Sequence, residues 1–379
     1  MERAEIAIVG AGIIGLSIAW HVLERGFTEV ALYEKTGVAA GASGVQPGGI
    51  RQQWSTAVNC VLARDSLAFY RGVGERLGAR VDLRFDACGY VFLAHSQQEL
   101  ERLAAAVRIQ HSVGVPSRLL SPAEAAELVP GLTVDGLAGA SFCAEDGYFD
   151  RPQGVVEAFA EAVVRGGGEI RPAEVSGLDE RPGGWTIRLA DGDEASADRV
   201  VVAAGYDTRL LLATTGVSVP IEREERYLFY SDPIRERLLE PLVVSQERQF
   251  AAKQLANGRV LASHLRATGA PTRDGASWRR HVRSCILELL PRLEYVSLPL
   301  LVPGLYDVTP DNQAVVGEVP GRPGLWVAAG FSGHGFMIAP EVGRAVAAQL
   351  CGEDPCARFA ELAVDRFARG ALAPETSVV

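Results

Sequence analysis

Lysine is nearly missing from this chain. Lys35 and Lys253 are the only two among 379 residues, and every other basic side chain is an arginine. Any step that needs a primary amine therefore has two candidates. Positive charge is also short overall: 37 basic residues face 47 acidic ones, for a net charge of −10. Such a surface repels nucleic acid rather than attracting it. The cysteines, Cys60, Cys88, Cys143, Cys285, Cys351 and Cys356, form no CxxC pair and no Cys/His cluster with ligand spacing. This speaks against a metal site or a disulfide framework and reads as buried free thiols in a reducing compartment. No apolar run reaches the roughly 20 residues of a membrane span. The chain enters a strand at Ile6 with no signal-peptide core before it. The expectation is a cytoplasmic protein with no nucleic acid, no membrane and no metal.

What is present is a hydrophobic fraction of 48%, enough to bury the core of two domains, or of one large α/β domain with an insertion. Ile6 to Val9 reads as a buried parallel strand, and Ile14, Ile18, Ala19, Val22 and Leu23 follow at helical spacing up to Gly26. Val30 to Tyr33 is the next strand, ending at Glu34. A Gly-rich stretch runs from Gly37 to Gly49, and residues 55–80 read as helical. Further along come a helix opened by Pro152, strands turning at Pro182-Gly-Gly184 and Asp191-Gly192, and a buried strand running into Gly205. A hairpin turns at Asn257-Gly258, a helix spans Trp278 to Leu290, and a last buried strand reaches Gly330 before a helix from Pro340. Nucleotide-type pieces thus lie at the start, middle and end, with less patterned pieces between them.

The sharpest motif is Gly10-Ala-Gly12-Ile-Ile-Gly15 between strand and helix, with Glu34 closing the second strand. Gly10 permits the tight turn, Gly12 lets backbone approach a pyrophosphate, and Gly15 lets helix and strand pack closely. The helix N-terminus offers free N–H groups and a positive dipole end to phosphate. Glu34 suits a ribose 2′-hydroxyl and disfavours a 2′-phosphate. On its own this fingerprint does not separate FAD from NAD.

Four stretches together resemble the D-amino-acid oxidase-like flavoprotein superfamily, and within it the glycine oxidase and sarcosine oxidase branch: Ile6 to Lys35, the Gly41 to Arg51 loop, Arg199 to Thr208, and Tyr306 to Val346. The likeness spans the chain, though the substrate-domain segments match only in pattern. It implies an α/β (α+β) fold in which a discontinuous Rossmann-type FAD-binding domain (1–80, 146–215 and 320–379) interleaves with an antiparallel-sheet substrate domain (81–145 and 216–319).

Residue by residue, the resemblance places Gly10, Gly12, Ile13, Ile14, Gly15, Glu34 and Lys35 on the adenosine and pyrophosphate. Ala42, Ser43, Gly48, Gly49 and Ile50 fall beside the pyrophosphate and flavin ring. Val175 would contact adenine through its backbone, and Ala204 and Gly205 would lie near the phosphates. The turn Gly330, Gly333, His334, Gly335, Phe336 and Met337 would run along the flavin, with the helix near Pro340 aiming its positive end at the ring. Arg51 aligns with an arginine that holds a substrate carboxylate, a task suited to a guanidinium fork. Tyr306 aligns with a substrate-contacting tyrosine, and His334 faces the cofactor.

Three departures sharpen the expectation. Monomeric sarcosine oxidase links its flavin through a cysteine where this chain has Gly304, so non-covalent FAD is expected. Relatives place a second cation where this chain has Tyr306 or Met337. The lysine that promotes reaction with oxygen in sarcosine oxidase has no counterpart in His264 to Pro271, which leaves Lys253. The implied activity is oxidation of a small-molecule amino acid, an N-substituted glycine above all. Hydride passes to flavin N5, the imine hydrolyses to glyoxylate and an amine, and oxygen returns as hydrogen peroxide. A D-amino-acid or proline dehydrogenase with another acceptor, and a flavoprotein assembly factor without a small substrate, stand as alternatives. Assembly as a homo-oligomer is compatible with the chain.

Overall fold

The computed structural model describes residues 2–265, 275–353 and 357–378. Cys356 and the Arg266 to Pro271 part of the lysine-free stretch lie outside the described residues. Two eight-stranded sheets carry the chain, joined by a small three-stranded one.

The first sheet is centred on Glu2–Val9, which runs parallel to Val30–Glu34 on one side and to Glu194–Val202 on the other. Glu169–Pro172 extends it beyond Val30–Glu34. The long Glu194–Val202 strand serves two neighbours: its first half pairs antiparallel with Gly184–Leu189, and its second half pairs parallel with Leu325–Ala329. Ile6 and Ile8 join a core with the helices Ile13–Glu24, Ala57–Tyr70, Pro152–Arg165 and Gly335–Leu350, while Ala7 and Val9 face a second core with Trp185 and Val202. Both faces are covered, which is why these strands read as unbroken apolar runs. Val315–Glu318 pairs antiparallel with Leu325–Ala329, so a tight return places it in this sheet rather than with residues 216–319.

The second sheet runs from the edge strand Leu300–Val308 to Arg118–Leu120 and is antiparallel except where Leu242–Ser245 runs parallel to Tyr90–Ala94. One face packs Phe229, Val243, Phe250 and Val260 against the helix Gly275–Leu289. The other turns Tyr90, Phe92, Leu242, Ala251 and Leu265 toward the first sheet. Along Phe250–Gln254 side chains alternate: Phe250 belongs to the helix-covered core while Ala251 points inward.

The final helix also differs from expectation. It spans Gly335–Leu350 with Pro340 inside it, not at its start. Proline lacks the N–H that would bond the carbonyl four residues back. That carbonyl, on Phe336, instead accepts from the Tyr70 hydroxyl at 2.5 Å, so the helix continues through the proline. Among the described residues no helix is long and apolar enough to cross a membrane.

Candidate active site

The C-terminal ends of three parallel strands bring together Gly10, Glu34 and the Ala204–Gly205 pair. Gly10 adopts φ +107, and a Cβ there would lie 2.5 Å from the Ala203 carbonyl. Only glycine fits that turn. The following helix, Ile13–Glu24, has Gly12 as a cap without a side chain, and Ser43 Oγ accepts the Ile13 N–H at 3.0 Å. Ser43 and Ala42 sit in the short helix Ala42–Val45 that folds over this turn. Glu34 accepts from the Ala11 N–H at 3.0 Å and the Thr36 N–H at 2.9 Å. Lys35 is held at the rim by Asp207 at 2.7 Å. Val175 begins the Val175–Arg181 strand, with the Ala173 N–H donating to the Glu34 carbonyl at 3.1 Å. The start of the Gly335–Leu350 helix packs beside Ile14, whose Cδ1 lies 3.7 Å from where a Gly335 Cβ would be. Two helix N-termini, a side-chain-free turn and an acid at a strand end form a cradle suited to a dinucleotide.

From this cradle a cavity extends to the inner face of the second sheet. Gly49, Arg51, Tyr306, Gly333, His334, Phe336 and Met337 line it. Gly48, Ile50 and Gly330 flank it: Gly49–Ile50 pairs with Gly147–Phe149, and the Gly330 N–H donates to Asp307 at 2.7 Å. Gly333, at φ +90, lies against the Tyr306 ring, where any Cβ would come within 2.1 Å of it. The Arg226 guanidinium stands 4.8 Å from the centre of the same ring. Among the described residues no cysteine lines the cavity, and no three His, Cys, Asp or Glu side chains converge as metal ligands.

Arg51 is a buried cation of this cavity, only 1% exposed. Its guanidinium stacks 3.5 Å from the centre of the Trp54 ring and 5.3 Å from that of Phe92. Nη1 donates to the Gln53 carbonyl at 2.5 Å and Nη2 to the Ser377 carbonyl. Both partners are neutral, and among the described residues Nε has none. Burial lowers its pKa to about 10, so it stays charged at neutral pH. His334, 4.8 Å from Trp54 between ring centres, is buried. Burial pulls its pKa down to about 4, which keeps it neutral.

Behind Arg51 lies a buried carboxylate the sequence reading passed over. Asp146 accepts from the Gln52 N–H at 2.8 Å and from Gln53 Nε2 at 3.0 Å. Gln53 Nε2 also donates to the Tyr90 carbonyl at 3.0 Å, and Gln53 Oε1 accepts from Ser141 Oγ at 3.0 Å. This network ties the Arg51–Gln53 segment to the second sheet. Burial lifts Asp146 to a pKa of about 6, against the pull of those hydrogen bonds. Lys253 also lines the cavity: its amine donates to the Pro47 carbonyl and lies 4.1 Å from the Tyr148 ring centre. Burial draws its pKa down to about 7.

Comparison with known proteins settles the family. The chain belongs to the FAD-dependent oxidoreductase (DAO) family, whose model matches residues 5–349. A glycine oxidase of Geobacillus kaustophilus is 28% identical, with 91% of this chain and 92% of that enzyme covered. The formaldehyde-forming 4-methylaminobutanoate oxidase of Paenarthrobacter nicotinovorans is also 28% identical over 95% of this chain, which spans 45% of that enzyme's length. Among solved structures, L-proline dehydrogenase from P. horikoshii superimposes with a TM-score of 0.89 at 28% identity, covering 98% of this chain and 100% of that one.

The family context leaves Trp54, Tyr90, Asp146 and the 375–378 segment as site elements that sequence reasoning missed. For Trp54 a signal existed, since Gln52-Gln53-Trp54 directly follows Arg51. For the others there was none, because each is a lone residue far along the chain.

Proposed function

We propose that this enzyme oxidises the C–N bond of an amine carrying a carboxylate, an N-substituted glycine with an apolar N-substituent, using non-covalently held FAD. The observation that carries the reading is Arg51: a buried guanidinium at one end of a largely apolar cavity, its terminal nitrogens on neutral carbonyls and its Nε without a partner among the described residues. A buried cation without a bound anion is costly, and a substrate carboxylate would offset that cost with charge-assisted hydrogen bonds.

The Gly10–Gly15 turn, Ser43 and the Ala204–Gly205 pair would hold the pyrophosphate, and Glu34 with Val175 the adenosine. The 46–50 loop and the 330–337 turn would flank the flavin. Once bound, FAD supplies the two-electron acceptor for the substrate's hydride. Arg51 fixes the carboxylate, and Tyr306 and Tyr90 wall the amine. His334 stays neutral and so places no second cation against the substrate's amine. The apolar walls Leu242, Ala251, Leu261 and Leu265 receive the N-substituent. Each methylene buried there contributes about 0.8 kcal/mol, so a long N-alkylglycine should outrun glycine and sarcosine. The absence of a cysteine from the described cavity wall, and Gly304 at the linking position, support non-covalent attachment. Oxygen is the proposed acceptor, with the Lys253 amine beside that step.

Anaerobic mixing with N-substituted glycines, D-amino acids and proline, followed by flavin bleaching, tests the reading. Bleaching by an N-alkylglycine faster than by sarcosine supports it, and no bleaching by any amino acid overturns it. The close superposition on L-proline dehydrogenase favours a second reading, a dehydrogenase with a different acceptor. Stoichiometric hydrogen peroxide on aerobic turnover would exclude that.

A further inference from the structure

One segment reaches the anion end of the cavity from the far end of the described chain. Glu375 is fully buried. Its carboxylate accepts from the Ser55 N–H at 2.9 Å, the Thr56 N–H at 3.1 Å, Thr56 Oγ1 at 2.8 Å and Asn59 Nδ2 at 3.1 Å, and also from Ser55 Oγ. These donors open the Ala57–Tyr70 helix, whose cap residue Thr56 makes no capping bond of its own. Glu375 therefore caps that helix from another part of the chain. Its Oε1 also accepts the Ser377 N–H at 2.9 Å, which curls the segment back on itself. Beyond it, Gln246 Nε2 donates to the Thr376 carbonyl at 3.1 Å and the Val378 carbonyl at 3.0 Å, pinning the far side to the second sheet. Between these anchors the Ser377 carbonyl accepts from Arg51 Nη2, and Val378 lines the cavity.

We infer that Glu375 is a positioning residue for substrate recognition: it anchors a strap, residues 375–378, whose Ser377 carbonyl fixes the Arg51 guanidinium and whose Val378 closes the carboxylate end of the cavity. The inference rests on the reading of Arg51 as carboxylate anchor. A guanidinium stacked on one indole can still slide and turn in its plane. Carbonyls of Gln53 and Ser377, one on each terminal nitrogen, remove that freedom. Both are neutral, so these hydrogen bonds orient the cation without an ion pair, while the Glu375 and Asp146 carboxylates act on it only through space. Preorganising the fork lowers the ordering cost of binding. Val378 beside it bounds the length of acid that fits, which selects α-carboxylates over longer ones.

The test uses the holoenzyme with Glu375→Gln, Gln246→Ala and Arg51→Ala, and two readouts. The first needs no ligand: labelling of Arg51 by phenylglyoxal, followed by mass spectrometry. Glu375→Gln should speed it about tenfold and Gln246→Ala, which frees only the far anchor, by less. An unchanged rate in both variants overturns the inference, since the strap then does not hold Arg51. The second is the KM of N-benzylglycine against that of N-methylbenzylamine, the same amine without its carboxylate. Glu375→Gln should raise the first about tenfold with kcat within twofold and leave the second unmoved. Equal losses on both amines would mark Glu375 as merely structural and overturn the inference. If Arg51→Ala weakens both amines alike, the carboxylate reading itself falls. If it weakens only the carboxylate-bearing amine and Glu375→Gln does not, only the strap proposal falls.

Discussion

The two ends of the active site are built by different means. At the proposed cofactor end the working parts are mostly backbone: one contiguous turn, Gly10 to Gly15, and a second, Gly330 to Gly335, meet where parallel strands stop. At the proposed substrate end they are side chains gathered from the whole chain: Arg51 and Trp54, Tyr90, Asp146, Lys253, Tyr306 and the strap at 375–378. A backbone site needs local sequence, so it leaves a motif. A side-chain site needs only the fold, so each member stands alone in the sequence. The fold can therefore retain its cofactor while the substrate end changes freely, in keeping with relatives named for different amines.

Variants at each end sharpen this contrast. The largest effect is expected from Gly10→Ala. Its Cβ would meet the Ala203 carbonyl at 2.5 Å with φ at +107, a strain of roughly 1–3 kcal/mol set directly in the phosphate turn. The purified variant should be colourless, and a full flavin spectrum would show that the turn does not carry the cofactor. Arg51→Ala should do the reverse. Flavin content stays normal while kcat/KM for a carboxylate substrate falls by roughly 2–4 kcal/mol. Loss of flavin together with activity would erase the division between the two ends.

Much of the cofactor half was legible beforehand for that reason. The strand–turn–helix–strand unit and the acid at Glu34 are written in adjacent residues and formed as read. Pro340 misled because proline is a start signal when only local sequence is visible. The Tyr70 hydroxyl that lets the helix run past it lies 266 residues away. The facing of Phe250 and Ala251 could not be read either. The Phe250–Gln254 strand is buried on both sides, so no polar alternation marks the cavity face. Asp146 and Glu375 are single acids in chains of many, and only their buried donors distinguish them.

Smaller effects probe the supports. Tyr70→Phe removes the donor to the Phe336 carbonyl beside the flavin turn and should cost about 1–3 kcal/mol of stability, read from denaturant unfolding. An unchanged midpoint would mean water replaces the hydroxyl. Lys253→Met should act with the opposite sign. The folded-state pKa of Lys253, about 7, lies below its usual 10.5. Between those values the unfolded chain holds a proton that the fold has released, so stability rises with pH across that window. Below pH 7 the cost of burying the amine is present in full. Methionine removes it, so the variant should melt a few degrees higher at pH 6–7 and lose part of the rise toward pH 10. Its reaction with oxygen should slow while flavin reduction by substrate does not. A melting curve unchanged at pH 6 and pH 9 would place the Lys253 amine in solvent instead.

The central claim, that Arg51 receives a substrate carboxylate in front of the flavin, has a direct test in anaerobic stopped-flow mixing. Wild-type and Arg51→Ala holoenzymes are each mixed with N-benzylglycine and with N-methylbenzylamine, and the rate of flavin bleaching at a fixed low concentration is compared. The wild-type protein should bleach about a hundredfold faster with the carboxylate-bearing amine, and the ratio should collapse toward one in Arg51→Ala. A ratio that is the same in both proteins would contradict the account.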